Sequence, residues 1–329
     1  MKLKEIGEFG FIERVKPLFS DLVQANQMGI GDDCALISAN EREDFLFTTD
    51  MLMEDVHFLR NAITPEELGY KSLAVNLSDI AAMGGTPVAS FLSIAVPSDL
   101  DVEYLDAFMN GYRKLSAKYN IPLLGGDTTK SLKHLAINVS VIGKCPKGQA
   151  CKRNMAKEGD LICVTGYLGD SAGGLQAILN QIDNVYLMRK HNLPEPRIRE
   201  GIFLAQSGAV HAMMDISDGI ASDLKHILKA SSVSAKVNVG KLPISQQLKK
   251  VSEAQGWNYN ELAISGGEDY ELLFTIANEQ FEALSADYFL TFGREISVIG
   301  NIVEGIPEII WMDENKEVEF KRGGFNHFE

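Results

Sequence analysis

Positive charge is scarce in this chain. Its 329 residues carry 31 Lys and Arg against 45 Asp and Glu, a formal net charge of −14. No basic stripe is available to neutralise a phosphate backbone, so no nucleic-acid partner is expected. There is no Gly-x-x-x-x-Gly-Lys-Ser/Thr, which excludes a P-loop. The four cysteines (Cys34, Cys145, Cys151 and Cys163) form no C-x-x-C pair and lack accompanying His spacing. A zinc site or disulfide framework is therefore not expected, and a reducing cytoplasm fits better. Glu5, Glu8 and Glu13 interrupt any apolar stretch behind Lys2 and Lys4, so no secretory signal is read. Residues 80–98 carry no charge, but Gly84-Gly85-Thr86-Pro87 cuts them into a helix end and a strand rather than a membrane span.

Acidic side chains in glycine-rich or hydroxyl-rich turns are abundant instead. They occur at Gly29-Ile30-Gly31-Asp32-Asp33, Thr48-Thr49-Asp50, Asn76-Leu77-Ser78-Asp79, Gly125-Gly126-Asp127, Asp215-Ile216-Ser217-Asp218-Gly219 and Gly266-Gly267-Glu268-Asp269. Carboxylates with nearby Ser and Thr hydroxyls are the hard oxygen ligands that Mg²⁺ selects beside waters and substrate phosphates. That pattern points to phosphate chemistry assisted by metal ions.

The length and a composition of 45% hydrophobic and 23% charged residues suit a soluble α/β enzyme of two domains. The basic, Gly- and Pro-punctuated stretch 143–159 is the best boundary, giving domains over 1–145 and 150–329. In the first half, residues 45–47 read as a short strand delivering Thr48, Thr49 and Asp50 at its end. Thr64-Pro65-Glu66-Glu67 is a capping box opening a helix that stops at Gly84-Gly85. Asp79 falls in that helix's last turn, where burial and the helix dipole both disfavour an anion, so a positive group is expected opposite it. Residues 88–96 read as a strand, 102–119 as a helix, 122–124 as a strand ending in Gly125-Gly126-Asp127, and 135–142 as an edge strand. In the second half, strands are expected at 161–164, 236–239, 262–264, 272–276 and 297–302, with helices at 197–206 and 219–230. The Gly-rich turn 166–174 suits either a phosphate at a helix N-terminus or a tight strand-to-helix connection.

Five segments taken in order resemble thiamine-monophosphate kinase. They are Gly29 to Ala35; Thr49-Asp50 with Val56-His57-Phe58; Lys71 to Gly84; Gly125 to Thr129; and Ser265 to Leu272. The resemblance runs from Gly7 to the Phe325-Asn326-His327-Phe328 tail. It implies the two-domain mixed α/β fold shared with aminoimidazole ribonucleotide synthetase, with an N-terminal domain that dimerises through its sheet and a C-terminal domain behind. It also implies transfer of the γ-phosphoryl of ATP to thiamine monophosphate, the last step of thiamine diphosphate biosynthesis. By position, Asp33, Thr48, Thr49, Asp50, Asp79, Asp127, Asp215 and Asp218 look like Mg²⁺ ligands. Gly126, Asp127, Arg153 and Ser217 match ATP contacts, and His57, Glu268 and Phe325 match contacts to thiamine phosphate. The runner-up is another ATP-dependent enzyme of the same superfamily. No Cys precedes Cys34, against selenophosphate synthetase, and none follows Cys163, against the hydrogenase maturation factor.

Residue chemistry alone leaves rivals. Asp32 competes with Asp33 as ligand. Asp50, Asp79 and Asp127 each also suit a cap or turn. Asp218 suits the N-cap of a helix over 219–230. A lone His57 suits a packed or surface site, and Arg153 a solvated charge.

Overall fold

The computed structural model describes residues 7–320 apart from 20, 22, 39 and 315. In the first half, α1 (Gly7–Phe19) precedes β1 (Gln27–Met28), β2 (Ala35–Ser38) and β3 (Glu43–Met53). Then come α2 (Pro65–Ala82), β4 (Thr86–Pro97), α3 (Val102–Tyr119), β5 (Leu123–Ser131) and β6 (Ala136–Pro146). The strands form one sheet in the order β1-β2-β3-β6-β4-β5, antiparallel except for the parallel β4–β5 pair. The second half runs β7 (Leu161–Thr165), α4 (Asp170–Leu179), α5 (Val185–Asn192), α6 (Ile198–Gln206), β8 (Val210–Asp215) and α7 (Ile220–Ser231). It continues with β9 (Ser234–Asn238), α8 (Gln246–Gln255), α9 (Tyr259–Ser265), β10 (Leu272–Ile276), α10 (Asn278–Phe292), β11 (Ile296–Val303), β12 (Ile309–Asp313) and β13 (Lys316–Val318). Its sheet order is β13-β12-β9-β11-β7-β10-β8. The architecture is thus α/β with two mixed sheets. No helix of the described residues is long and apolar enough to cross a membrane.

Helix α2 joins the two halves. Thr64 caps it through the Glu67 N–H while the Glu67 carboxylate accepts from the Thr64 N–H, with Pro65 at the first position. It is buried on nearly every side because α3 and the first sheet cover one flank and α6 and β8 the other. Leu73, Leu77 and Ile80 of α2 therefore share one core with Ile137 and Val139 of β6 and with Cys163, Met213, Leu272 and Phe274 of the second sheet. A second core lies on the far face of that sheet, around Val164, Ile216, Leu224 and Ile299. All five residues of β10 are buried, as expected of a strand with both faces covered.

Glycines set the closeness of α2 and α3. A Cβ on Gly69 would lie 1.8 Å from the Phe108 carbonyl oxygen, and one on Gly111 would lie 1.7 Å from that of Glu66. Gly111→Ala must push the helices apart, and is expected to cost about 1–3 kcal/mol as overpacking, read as a lower melting temperature. Gly256→Ala, with open space around it, lacks this clash and should lose only the left-handed preference of about 1–2 kcal/mol.

Four sequence expectations change, the first being that β5 runs from Leu123 through Gly125-Gly126-Asp127 to Ser131 instead of ending at them. Thr48, Thr49 and Asp50 lie inside β3, which continues to Met53 paired along β6. The strand at 135–142 is central, between β3 and β4; its alternation reports one covered face, not an edge. Residues 262–264 belong to α9, capped by Asn258, because a three-residue apolar run does not distinguish strand from helix.

Candidate active site

A cleft of about 1350 Å³ opens between the two halves. Acidic side chains crowd its floor. Because strand residues alternate, Thr48 and Asp50 face α2 while Thr49 faces away. The Thr48 hydroxyl donates to Asp79 in the last turn of α2. Asp33, from the turn before β2, and Asp215, ending β8, close on the same point. Asp33, Asp79 and Asp215 each present an oxygen within 4.8 Å of the others. Ser78 Oγ donates to Asp215 Oδ2 at 2.5 Å.

The electrostatics record the crowding. Burial, then Asp50, Asp215 and Asp33, push the Asp79 carboxyl well above the usual range, against the Thr48 hydrogen bond. Asp215 is pushed to about 8 by burial and Asp33, and Asp32 to about 7 by burial and Asp33. The positive group expected opposite Asp79 is not supplied by any described side chain. Its charged neighbours are carboxylates, and Arg153 pairs with Asp33 through Nη2–Oδ1 at 2.5 Å. A carboxyl buried in this way either keeps its proton or, once ionised, is stabilised by a cation from outside the chain. Asp33 joins the triad, whereas Asp32 accepts the backbone N–H groups of Arg153 and Asp33 at 3.2 Å each.

The walls carry the remaining candidates. Arg153 is mostly buried rather than solvated, and Ser217 and Asp218 line the cleft beside it. Asp218 is not the cap of α7: Gly219 occupies that position without a side-chain bond, and the Asp218 N–H donates to Asp223 at 3.2 Å. His57 lines the cleft with Nδ1 accepting the Met53 N–H at 3.0 Å, which leaves Nε2–H as the donor of the neutral ring. Glu268 enters from the opposite half, on a left-handed residue with φ 64°. Burial opposes its charge, but the Lys71 ammonium holds its carboxyl below the usual range.

Of the other candidates, Thr49 lines the cleft, whereas Gly126 and Asp127 stand apart. Thr49 Oγ1, on the face of the sheet away from α2, takes part in bonds with Asn138, Ser140 and the Val139 carbonyl. Gly126 and Asp127 lie in β5, separated from β3 by two intervening strands and so about 14 Å away, and do not line the cleft. Phe325 lies outside the described residues. The turn 166–174 is a tight connection, not a phosphate cradle. The Asp269 carboxylate already accepts the Gly169 and Ser171 N–H groups at 2.6 and 3.1 Å, and a Cβ on Gly166 would meet the Glu271 carboxylate at 2.3 Å.

Residues 31–145 match the N-terminal domain of AIR synthase related protein, and residues 157–311 match its C-terminal domain. The thiamine-monophosphate kinase of Bacillus subtilis (strain 168) is 38% identical over 310 residues, covering 92% of this chain and 94% of the relative. That of Aquifex aeolicus (strain VF5) is 37% identical over 333 residues and covers 100% of both. The chain belongs to the thiamine-monophosphate kinase family. Among solved structures, AaThiL complexed with AMPPCP and TMP has a TM-score of 0.86 at 34% identity, covering 99% of each chain. The Aquifex aeolicus thiamine monophosphate kinase has a TM-score of 0.81 at 34% identity, covering 97% of this chain and 100% of that one.

In this thiamine-monophosphate kinase family member, both matched regions supply the cleft. Asp33, Asp50 and Asp79 come from the first, and Asp215, Ser217 and Glu268 from the second. Sequence reasoning assigned no role to Lys71, His191 or Asp223. Lys71 did carry a signal, as the one cation in a helix whose residues from Ser72 to Ser78 are apolar, small or uncharged. His191 and Asp223 carried none, because their partners are 20 or more residues away or backbone groups.

Proposed function

We propose that this protein transfers the γ-phosphoryl of ATP to the phosphate of thiamine monophosphate, producing thiamine diphosphate and ADP. The observation that carries this reading is the carboxylate group of Asp33, Asp79 and Asp215 at the floor of a cleft that also holds His57 and Glu268. The acceptor phosphate bears roughly −1.5 to −2 charges at neutral pH, so its oxygen needs no general base. What catalysis requires is alignment and relief of repulsion between anions.

Several oxygens, raised carboxyl pKa values and an uncompensated negative charge fit Mg²⁺. We assign its ligation to Asp33, Thr48, Asp50, Asp79, Asp215 and Asp218, with Thr49 beside them on the same strand as Thr48 and Asp50; Asp127, two strands beyond β3, is left out of this set. The chemistry that Mg²⁺ supplies when bound is charge neutralisation across the phosphates. Arg153 and Ser217, which line the cleft, are assigned to ATP. His57 offers an N–H to thiamine phosphate, Glu268 an acceptor, and Phe325 an aromatic face. The outer face of the first sheet exposes Met51 and Phe91, 55% and 37% accessible, and we propose that a homodimer covers it. We divide the chain into domains 1–145 and 150–329, and the four buried free thiols support a cytoplasmic location.

Purified protein incubated with ATP, Mg²⁺ and thiamine monophosphate should yield one thiamine diphosphate per ADP, read by chromatography. Folded protein that forms neither product overturns the reading. Light scattering should give twice the chain mass of 36.2 kDa; a monomer would exclude the dimer.

A further inference from the structure

Lys71 is the most deeply buried cation in the described structure, with a side chain 0% exposed. It sits on α2 among apolar and small neighbours, where an uncharged side chain of similar length would pack without the penalty of desolvating an ammonium. Its Nζ reaches across to the other half of the molecule and donates to Glu268 Oε2 at 3.0 Å. His191 Nδ1, on α5, approaches the same oxygen at 3.3 Å and lies 3.0 Å from Ser171 Oγ on α4. Burial and then Lys71 lower His191 to about 4, so this imidazole is neutral and the ammonium alone balances the carboxylate. The Glu268 backbone is pinned too: its left-handed φ is held by an N–H bond of 2.7 Å to the Ser217 carbonyl.

The carboxylate is therefore approached by side chains from two elements, α2 and α5, while its side chain remains 24% exposed toward the cleft. The same cleft is lined in part by apolar side chains, including Leu59, Leu175, Leu179 and Leu262. An acceptor held at the edge of an apolar wall suits a flat heterocycle with one N–H donor group. Thiamine monophosphate has one such group apart from its phosphate, the exocyclic amine of its pyrimidine ring.

We propose that Lys71 is a positioning residue for substrate specificity, holding the Glu268 carboxylate so that it accepts from the pyrimidine amine of thiamine monophosphate. The inference rests on the proposed kinase reading and extends it. Lys71 does not touch the substrate; it acts through Glu268. A site built around a hydrogen bond rejects a ligand that leaves its polar group unpaired.

The test compares thiamine monophosphate with the analogue carrying hydrogen in place of the amine. Wild-type kcat/KM should favour the amine by about 10²-fold. Lys71→Met should raise KM for thiamine monophosphate about tenfold or more, leave KM for ATP unchanged, and reduce the preference to below about tenfold. Lys71→Arg should restore most of the preference. In case Lys71→Met folds poorly, the double variant Lys71→Met/Glu268→Gln removes both charges together and should match Glu268→Gln alone. An unchanged preference in Lys71→Met, equal rises in both KM values, or additive losses in the double variant would overturn the proposal while leaving the kinase reading intact. No turnover by wild type would instead remove both.

Discussion

Asp79→Asn and Asp215→Asn are each expected to lower kcat by about 10²–10³-fold while raising the melting temperature of metal-free protein. The first effect follows from removing a charge aimed at phosphate-bound cations. The second follows from the crowding itself. Both carboxyls are buried against other carboxylates, so their folded-state pKa values stand above the unfolded value of about 3.9. A raised carboxyl contributes stability that is complete below the unfolded pKa and is lost as pH climbs through the folded one. For Asp215 that window runs from about 4 to about 8, and for Asp32 to about 7. In EDTA the wild-type melting temperature should therefore fall between pH 5 and pH 8, and Mg²⁺ should oppose the fall. Asn keeps an acceptor for Ser78 or Thr48 without the charge. Each kcal/mol recovered should move the transition by about 2–4 °C. Calorimetry with and without EDTA, beside steady-state kinetics, decides the matter. Full activity in both variants, or a flat pH profile in EDTA, would make these carboxylates structural.

Arg197→Met should be the most damaging single change away from the cleft floor. Arg197 donates to Glu271 through Nε at 2.7 Å and through Nη2, and both side chains are buried. Thr165 Oγ1 completes the carboxylate at 2.8 Å. Removing the guanidinium leaves a buried, unpaired carboxylate, which costs about 3–5 kcal/mol. The Glu271 carbonyl also accepts the Ile216 N–H at 2.9 Å, and Tyr270 and Glu268 before it both have positive φ. Loosening this segment should therefore raise KM for thiamine monophosphate as well as lower the denaturant midpoint. Arg197→Met/Glu271→Leu removes both charges and should recover much of the stability. A double variant no more stable than Arg197→Met would show that the ion pair is not the source of the loss.

Features held within a few residues are legible in the amino-acid order alone. The Thr64 capping box and the helix of α3 over Val102–Tyr119 appear where the pattern puts them. The strands β7, β10 and β11 also match to within a residue or two. The central place of β6, by contrast, depends on pairing with β3 and β4, strands that lie far from it in sequence. The helical state of residues 262–264 comes from the Asn258 cap, which a three-residue run does not reveal.

The site divides in the same way. Sequence by itself determined the supply of acidic, glycine-flanked turns, the absence of a P-loop and the ordered motifs of the family, because these are properties of short segments. Only the tertiary structure decided which acids meet. It joined Asp33, Asp79 and Asp215, left Asp127 beyond two intervening strands, spent Asp269 on the α4 N-terminus, and set Lys71 against Glu268. Lys71 and Glu268 are 197 residues apart in the chain. Their attraction is short-ranged in water and becomes strong only where both are buried, so the folded core must exist before the pair does.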